Sequence, residues 1–194
     1  MGQEATKANN RRSKHSEYAE KYLVGNGIDI GAGDDCVGRY TDLYTRILSC
    51  RNWDMPDGDA QYLESVPDNT YDFVHSSHCL EHMVNPLIAM RNWIRVLKPG
   101  GHAVIIVPDE DLYEQGIFPS TFNGDHKWTF TIHKNGKSWS KEYSQNVLEL
   151  ICLLRDCKPI SIRLNEEYFD FEALRYDQTG GPAECSIEFI VRKM

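Results

Sequence analysis

The sequence lacks the features that mark secreted, membrane-spanning and nucleic-acid-coating proteins. None of its 6 cysteines forms a C-x-x-C pair, and no apolar leader-like stretch follows Met1. No apolar run approaches the roughly 20 residues that cross a bilayer. Lysine and arginine number 21 against 29 acidic residues, and the net charge of −8 disfavours polyanion binding. We therefore expect a cytoplasmic protein with reduced thiols that binds neither a membrane nor nucleic acid.

Glycine and proline are also scarce, at 14 and 8 of 194 residues, which excludes a collagenous or low-complexity chain. The length corresponds to one domain with a little left over, at about 150 residues per domain. Residues 1–13 are polar and charged, so we expect them to form a flexible tail. Residues 14–194 are then expected to form a single domain.

Short apolar segments alternate with helical patterns along the chain. Such alternation predicts a mostly parallel sheet with helices on both faces, and the lack of a clear helix before the last strand favours an antiparallel ending. We expect Asn135-Gly136 to form a hairpin turn and Ser140 to cap the third helix. Helices are predicted at 14–23, 85–97 and 141–155, and strands at 27–30, 46–53, 58–63, 71–75, 103–107, 159–164 and 185–192.

The sharpest local motif is the strand Gly27–Ile30 followed by Gly31-Ala32-Gly33. Small residues in this turn let a ligand approach the backbone, at the carboxyl end of a strand where ligands bind in open α/β sheets. Asp34 and Asp35 follow, and their carboxylates would repel a pyrophosphate. The loop therefore suits a positively charged ligand better than a dinucleotide. An ordinary tight turn with exposed acids is the alternative.

Further acids follow at the spacing of a nucleoside site. Asp54 ends the next predicted strand about 20 residues on, where a carboxylate accepts both ribose hydroxyls. The Asp59 carboxylate is suited to accept a hydrogen bond from an exocyclic amine, and the side chain of Ala60 is small enough to leave room for an adenine ring. Each acid alone would be read as solvated surface.

Five segments form one ordered set, namely IDIGAGDD (28–35), WD (53–54), GDAQYL (58–63), YDFVHSSHCLEHMVNP (71–86) and RVLKPGGHAVIIVPD (95–109). With these segments the chain resembles class I S-adenosylmethionine-dependent methyltransferases, as a small bacterial-type member, over about residues 17–109. The Leu80-Glu81-His82 and Leu97–Gly101 segments are more specific than the glycines. Family members often carry a third glycine where this chain has Asp35.

The resemblance implies a Rossmann-like, seven-stranded sheet whose last strand is antiparallel. It implies S-adenosylmethionine as cofactor and S-adenosylhomocysteine as product. Asp29 would support the glycine loop and the cofactor's ammonium, Asp54 would hold the ribose, and Asp59 with Ala60 the adenine. The implied cofactor contacts are Asp29, Gly31, Ala32, Gly33, Asp54, Asp59, Ala60, Ser76, Ser77 and His78.

Methyl transfer to a hydroxyl needs a base, and histidine titrates near neutrality. His126 follows the fifth predicted strand among aromatic residues, so we predict it as a base or hydrogen-bonding group. A surface or core-edge histidine is the alternative. His78 is a second catalytic candidate. Substrate contacts are predicted at Tyr113, Phe122, Asn123, His126 and Trp128.

His75, His78 and His82 form H-x-x-H-x-x-x-H with Cys79 and Glu81 between them, groups from which a zinc site can be built. Because His75 belongs to a strand and His82 to a following turn, their convergence on one ion is not expected. We therefore predict no metal.

The expected function is methyl transfer to a hydroxyl or amine of a small molecule, such as a sugar or secondary metabolite. Residues 109–140 form the predicted acceptor-side insert or lid, and about 30 residues suffice only for a small acceptor pocket. No N/D-P-P-Y/F tetrapeptide follows the fourth strand, which disfavours nucleic-acid methylation. A non-catalytic cofactor-binding subunit or sensor is the alternative.

Overall fold

A computed structural model describes residues 4–134 and 142–194, and a six-stranded sheet is its main element. The expected turn at Asn135-Gly136 and cap at Ser140 lie outside these residues. The described helices are α1 (Glu4–Arg12), α2 (Pro86–Arg95) and α3 (Val147–Cys152), and the strands are β1 (Gly25–Ile30), β2 (Ile47–Trp53), β3 (Tyr71–Ser77), β4 (Leu97–Pro108), β5 (Thr129–Thr131), β6 (Ser144–Asn146), β7 (Cys157–Asn165) and β8 (Ser186–Lys193).

The main sheet has the order β2-β1-β3-β4-β8-β7, while β5 and β6 form a separate parallel pair. Strands β1 to β4 run parallel, and β8 runs antiparallel to both of its neighbours. The predicted α/β sheet with an antiparallel final strand is confirmed. Because β1 to β4 are parallel, the loops that follow them meet at one edge of the sheet, namely the edge formed by the carboxyl ends of these strands.

The segment 58–63 was predicted to be a strand, and this prediction is wrong. Gly58 has a φ of 120° and Leu63 a φ of 48°, both outside the strand region. The Asp59 carboxylate accepts the Gln61 N–H at 2.7 Å, which closes a local turn. The main sheet therefore has six strands in the described residues rather than seven.

Alternating residues of the central strands pack on opposite faces of the sheet. Val74 and Ile105 join the core that contains residues of α2 and α3. Their neighbours Phe73 and Val104 join a second core with Tyr18. The period of two in β-strands thus supplies apolar side chains to both faces.

Helix ends follow local capping chemistry. Asn85 accepts the Ile88 N–H at 3.1 Å and precedes Pro86, so α2 begins where the sequence predicts. Helix α3 is shorter than predicted because Asn146 caps it by accepting the Glu149 N–H at 3.1 Å. Over 14–23, only a π-helical turn at Tyr18–Tyr22 forms.

The flexible tail expected over 1–13 is wrong for Glu4–Arg12, which form α1 against the second face of the sheet. Ala5, Ala8 and Arg12 of this helix are buried. The polar sequence was misleading because the helix docks largely through charge. Arg12 contacts Glu188 of β8 at 2.6 Å, with both side chains almost fully buried.

Arg12 also joins a hydrogen-bonded chain that runs across three strands. Its Nη1 donates to His75 Nε2 at 3.0 Å, and His75 Nδ1 lies 2.7 Å from Asp29 Oδ1. Since an arginine only donates, these partners assign His75 as the neutral tautomer with a proton on Nδ1. The chain therefore runs from Asp29 through His75 and Arg12 to Glu188.

Glu188 is ionised in this setting. Burial alone would raise its pKa, but Arg12 and Arg11 outweigh burial and hold the pKa below its ordinary value. Arg11 Nη2 reaches the same carboxylate at 3.0 Å. Two guanidinium groups thus attach α1 to β8.

Replacing Arg12 tests this attachment. Arg12→Met leaves the Glu188 carboxylate buried with only Arg11 and Tyr18, so we expect a loss of about 3 kcal/mol in the free energy of unfolding. Urea denaturation measures it. Asn10→Ala, at an exposed position of the same helix, is the control and should change stability by less than about 0.5 kcal/mol. Equal stabilities for the two variants would contradict the docked helix.

Candidate functional site

The ends of β1, β2 and β3 bring the predicted nucleoside-site residues together. Ile30 pairs with Trp53 on one side and with Ser76 on the other. The loop Gly31–Gly33, the acid Asp54 and the residues after Ser76 therefore leave the sheet side by side. This edge is the candidate cofactor site.

Gly31 is required by the packing beneath the loop. Its φ is 75°, and a Cβ there would lie 2.6 Å from the Cys79 sulfur. Its N–H donates to the Trp53 carbonyl at 2.8 Å. At Gly33, φ is 53°, and a Cβ there would lie 3.9 Å from Asp54 Oδ2, an ordinary contact distance. The loop is thus held against β2 and Cys79, and its two glycines of positive φ carry no side chain that would block a closely approaching ligand.

Asp29 lies beneath this loop, fully buried in β1. Its Oδ2 accepts the Val37 N–H at 2.6 Å, and its Oδ1 contacts His75. Burial alone would raise the pKa of Asp29, but His75 and the Val37 hydrogen bond hold it below the ordinary value. Through the Val37 N–H, Asp29 anchors the segment that follows the loop Gly31–Gly33. This arrangement fits the supporting role that the resemblance implies for Asp29.

Asp54 and Asp59 occupy the two turns after β2. Asp54 is half-buried; its Oδ2 accepts the Gly33 N–H at 3.1 Å and its Oδ1 the Met55 N–H at 2.8 Å. A carboxylate oxygen has two lone pairs, so each retains one for a ligand hydroxyl. Asp59 is exposed, and the adjacent Ala60 carbonyl is held by Trp93 Nε1 at 2.8 Å.

The three residues at the end of β3 have different surroundings. Ser76 is buried and donates its hydroxyl to the Ile30 carbonyl at 2.9 Å, which ties β3 to β1. The Ser77 hydroxyl is buried and has no hydrogen-bond partner in the described residues. His78 has a φ of 54°, which turns the chain at the strand end. Ser77 and His78 are therefore the ones available to a ligand.

Helix α1 crosses this edge of the sheet. Its Thr6 N–H donates to Asp35 Oδ2 at 3.0 Å, and its Glu4 carboxylate lies 3.7 Å from His78 Nε2. Lys7 donates to the Thr179 carbonyl at 2.6 Å on the other side. Asp35 thus anchors a first-turn N–H of α1.

A cluster of ionisable side chains lies beyond His78, and we call it the histidine cluster. At its centre is Glu81, fully buried in the turn Leu80–His82. Its Oε1 lies 3.7 Å from His78 Nδ1, 3.7 Å from His82 Nε2 and 3.9 Å from His126 Nε2. The cluster consists of His78, Glu81, His82, Glu114 and His126.

Burial dominates the electrostatics of the cluster. It raises the pKa of Glu81 to about 7, although His126 acts in the opposite direction. It lowers the pKa of His78 to about 4, with Glu4 acting in the opposite direction. Both groups are therefore pushed towards their neutral forms.

His126, the predicted catalytic histidine, lies in this cluster and is 7% exposed. Its Nδ1 lies 2.8 Å from Glu114 Oε1, which orients the ring and leaves Nε2 on the side of Glu81. The N–H groups of Lys127 and Trp128 donate to the Glu81 carbonyl at 2.9 and 3.2 Å. Two backbone bonds thus hold the His126 segment beside the turn after β3.

The predicted substrate residues divide into two groups. The Tyr113 ring lies 5.1 Å from the His126 ring and 5.9 Å from the Phe122 ring, so Tyr113 contacts both. Asn123 accepts the Asp125 N–H at 3.1 Å and shapes the loop before His126. Trp128 belongs to the second group: it packs against the main core and donates to the Val84 carbonyl at 3.3 Å.

The comparisons with known proteins identify the family. A family model described as a methyltransferase domain matches residues 8–155. The chain belongs to this methyltransferase family. The match confirms the resemblance that the motifs indicated, and S-adenosylmethionine is the methyl donor that it indicates.

Relatives of this methyltransferase are distant. An uncharacterized methyltransferase of Schizosaccharomyces pombe is 34% identical over 64 residues, which are 33% of this chain and 22% of that protein. The alignment thus spans about a fifth of the relative's length.

Solved structures share the fold of this methyltransferase. One is a Listeria monocytogenes protein assigned as an S-adenosylmethionine-dependent methyltransferase, with a TM-score of 0.61, 12% identity, and coverage of 98% of this chain and 99% of that one. A chain from a complex of the Haloferax volcanii Trm112 methyltransferase activator with a methyltransferase has a TM-score of 0.58 and 14% identity, with coverage of 100% of this chain and 98% of that one. An Archaeoglobus fulgidus methyltransferase described as SAM dependent has a TM-score of 0.56 and 17% identity, with coverage of 97% of this chain and 94% of that one.

None of the helices in the described ranges combines the length and the apolar character that crossing a bilayer requires.

Sequence reasoning on this methyltransferase missed three side chains of the site. Glu4 was placed in a tail, and Glu114 was not considered. Glu81 was named in a family motif and among the groups of a zinc site that was not expected, but not as a residue of the acceptor site. The available signal was the proximity of Glu114 to His126 in an aromatic segment rich in acids. The docking of Glu4 depends on Arg11 and Arg12, whose shared partner, Glu188 of β8, lies far away in sequence.

Replacing Asp54 tests whether S-adenosylmethionine binds at the ends of β1, β2 and β3. Asp54→Ala removes both carboxylate oxygens, so we expect S-adenosylmethionine to bind about 10- to 100-fold more weakly, as for a lost hydrogen bond to a charged group. Calorimetry measures the affinity. Asp156→Asn is the control, because Asp156 precedes β7, the outermost strand on the other side of the sheet from β2. This variant should leave the affinity for S-adenosylmethionine unchanged. Undiminished binding to Asp54→Ala would exclude Asp54 from the site.

Proposed function

We propose that this methyltransferase transfers a methyl group to a hydroxyl or amine of a small molecule that binds against the histidine cluster. The observation that carries the proposal is the position of this cluster. His78 directly follows β3, and Cys79 packs beneath Gly31 of the cofactor loop. The cluster therefore begins beside the candidate cofactor site, at the residue that directly follows β3.

S-adenosylmethionine, when bound, supplies a methyl group activated on its sulfonium. We assign the glycine loop, Asp54, Ser77 and His78 to holding it. Asp59 and Ala60 lie where an adenine would follow. Two features support this assignment: the Ser77 hydroxyl has no hydrogen-bond partner in the described residues, and Gly33 leaves the loop backbone without a side chain.

His126 and His78 are assigned to the acceptor. Glu114 orients His126, so its Nε2 is fixed on the side of Glu81 and serves to position the acceptor oxygen or nitrogen. The new bond to the methyl carbon forms as the carbon–sulfur bond breaks, and that electron pair stays on sulfur. For a hydroxyl acceptor, the released proton passes to His78, whose Nε2 is buried and has no hydrogen-bond partner in the described residues. Because burial lowers the pKa of His78 to about 4, the ring is neutral beforehand and passes the proton on to solvent.

A small acceptor is favoured over a macromolecule by the surroundings of the cluster. Glu81 and Glu114 are fully or almost fully buried, and His126 is 7% exposed. Tyr113 packs beside His126 and Phe122, and Arg175 lies over the Phe122 ring at 4.2 Å. Aromatic and basic side chains next to the buried cluster suit a compact molecule such as a sugar derivative or secondary metabolite.

The proposal is tested with labelled S-adenosylmethionine and a panel of small hydroxyl and amine compounds. His126→Gln should lower kcat/KM for an active compound about 100-fold, because positioning of the acceptor is lost. His133→Gln, at an exposed histidine outside the cluster, is the control and should retain full activity. Donor affinity should be the same in both variants.

Two results would contradict the proposal. One is full methyl transfer by His126→Gln. The other is tight donor binding without turnover of any compound in the panel, which would favour the non-catalytic subunit or sensor.

A further inference from the structure

We propose that Glu81, His82 and His126 bind one divalent transition-metal ion, which holds the acceptor's oxygen atom. One carboxylate oxygen and one nitrogen from each histidine lie within 4.8 Å of one another. A small rotation of side chains would bring three such atoms to bonding distance, which is about 2.0–2.2 Å from zinc. The role in acceptor binding rests on the proposed function, whereas the binding of the ion does not.

The Glu81 carboxylate is the second observation that indicates a ligand. It is fully buried, and neither of its oxygens has a hydrogen-bond partner in the described residues. A carboxyl group buried without partners costs several kcal/mol unless a cation or hydrogen bonds compensate. The groups that surround it are the imidazoles of His78, His82 and His126, at 3.7 to 3.9 Å. A divalent ion between Glu81 and two of these rings would supply the missing partner.

Both histidines are already oriented as metal ligands usually are. A ligating histidine typically donates its other ring N–H to a carboxylate or backbone carbonyl. His126 Nδ1 lies 2.8 Å from Glu114 Oε1, and His82 Nδ1 lies 3.2 Å from the Asp125 carbonyl oxygen. These acceptors assign the proton to Nδ1 in both rings. The Nε2 atoms, with their lone pairs, are then the two that face Glu81.

The donor set indicates the class of ion. Two imidazoles and one carboxylate suit zinc, iron, cobalt or manganese, whereas calcium and magnesium prefer oxygen ligands. Three protein ligands leave at least one coordination position open, as in catalytic zinc sites. An acceptor hydroxyl or alkoxide oxygen is a suitable ligand for that position. His126 would then hold the acceptor through the ion.

This triad differs from the histidine pattern considered in the sequence. His75 is separated from the site because it is hydrogen-bonded to Asp29 and Arg12 within the sheet. His126, from a distant segment, takes its place because Lys127 and Trp128 are bonded to the Glu81 carbonyl. The spacing of histidines along the chain could not show that His126, rather than His75, lies beside Glu81 and His82.

The test is a Co²⁺ titration of the tag-free full-length protein, followed by visible absorption and by measurement of retained metal. We expect one Co²⁺ per chain with the d–d bands of a low-coordinate site. Glu81→Gln and His126→Gln should each weaken binding at least 100-fold. Glu114→Gln, which removes only the partner of a ligand, should weaken it about 10-fold.

His133→Gln is the matched control and should bind Co²⁺ as the parent does. Circular dichroism and S-adenosylmethionine affinity, measured on every variant, separate a lost ligand from a lost fold. Failure to bind one ion per chain, or equal binding by the parent and by a correctly folded Glu81→Gln, would overturn the inference. Since the readout is metal content, this failure is distinguishable from failure of the acceptor assay.

Discussion

The buried polar chain from Asp29 through His75 and Arg12 to Glu188 is the interaction on which the site depends. It links β1, β3, α1 and β8 in a region where an unpaired charge would be strongly destabilising. Its Asp29 end holds the segment after the glycine loop, through the Val37 N–H. Its Arg12 end holds α1 on the sheet. The same chain thus fixes the loop of the cofactor site and the helix that crosses it.

The parallel part of the sheet and its antiparallel ending could be predicted from the sequence because apolar runs and turn residues are local signals. The segment 58–63 shows the limit of such signals. Its composition permits a strand, but the Asp59 carboxylate caps a turn, and Gly58 adopts a conformation that interrupts an extended chain. Helix α1 was missed for the opposite reason, because its arginines bond to Glu188 of β8, which is over 170 residues away in sequence.

The cofactor side of the site was more predictable than the acceptor side. Gly31, Gly33 and Asp54 follow consecutive strands, and parallel pairing brings them to one edge whatever the rest of the chain does. The histidine cluster depends instead on two contacts between distant segments, namely Lys127 and Trp128 with the Glu81 carbonyl. Sequence could indicate His126 by its position and its aromatic neighbours. It could not show that Glu81 and Glu114 lie on either side of that ring.

The most direct test is a crystal structure with S-adenosylhomocysteine bound. The central claim is that the methyl group passes from the edge formed by β1, β2 and β3 towards the histidine cluster. The account predicts that the ribose lies against Asp54 and that the sulfur lies beside His78, with the vacated methyl position facing His126. A product whose sulfur points away from His78 and His126, or that binds at another edge of the sheet, would contradict it.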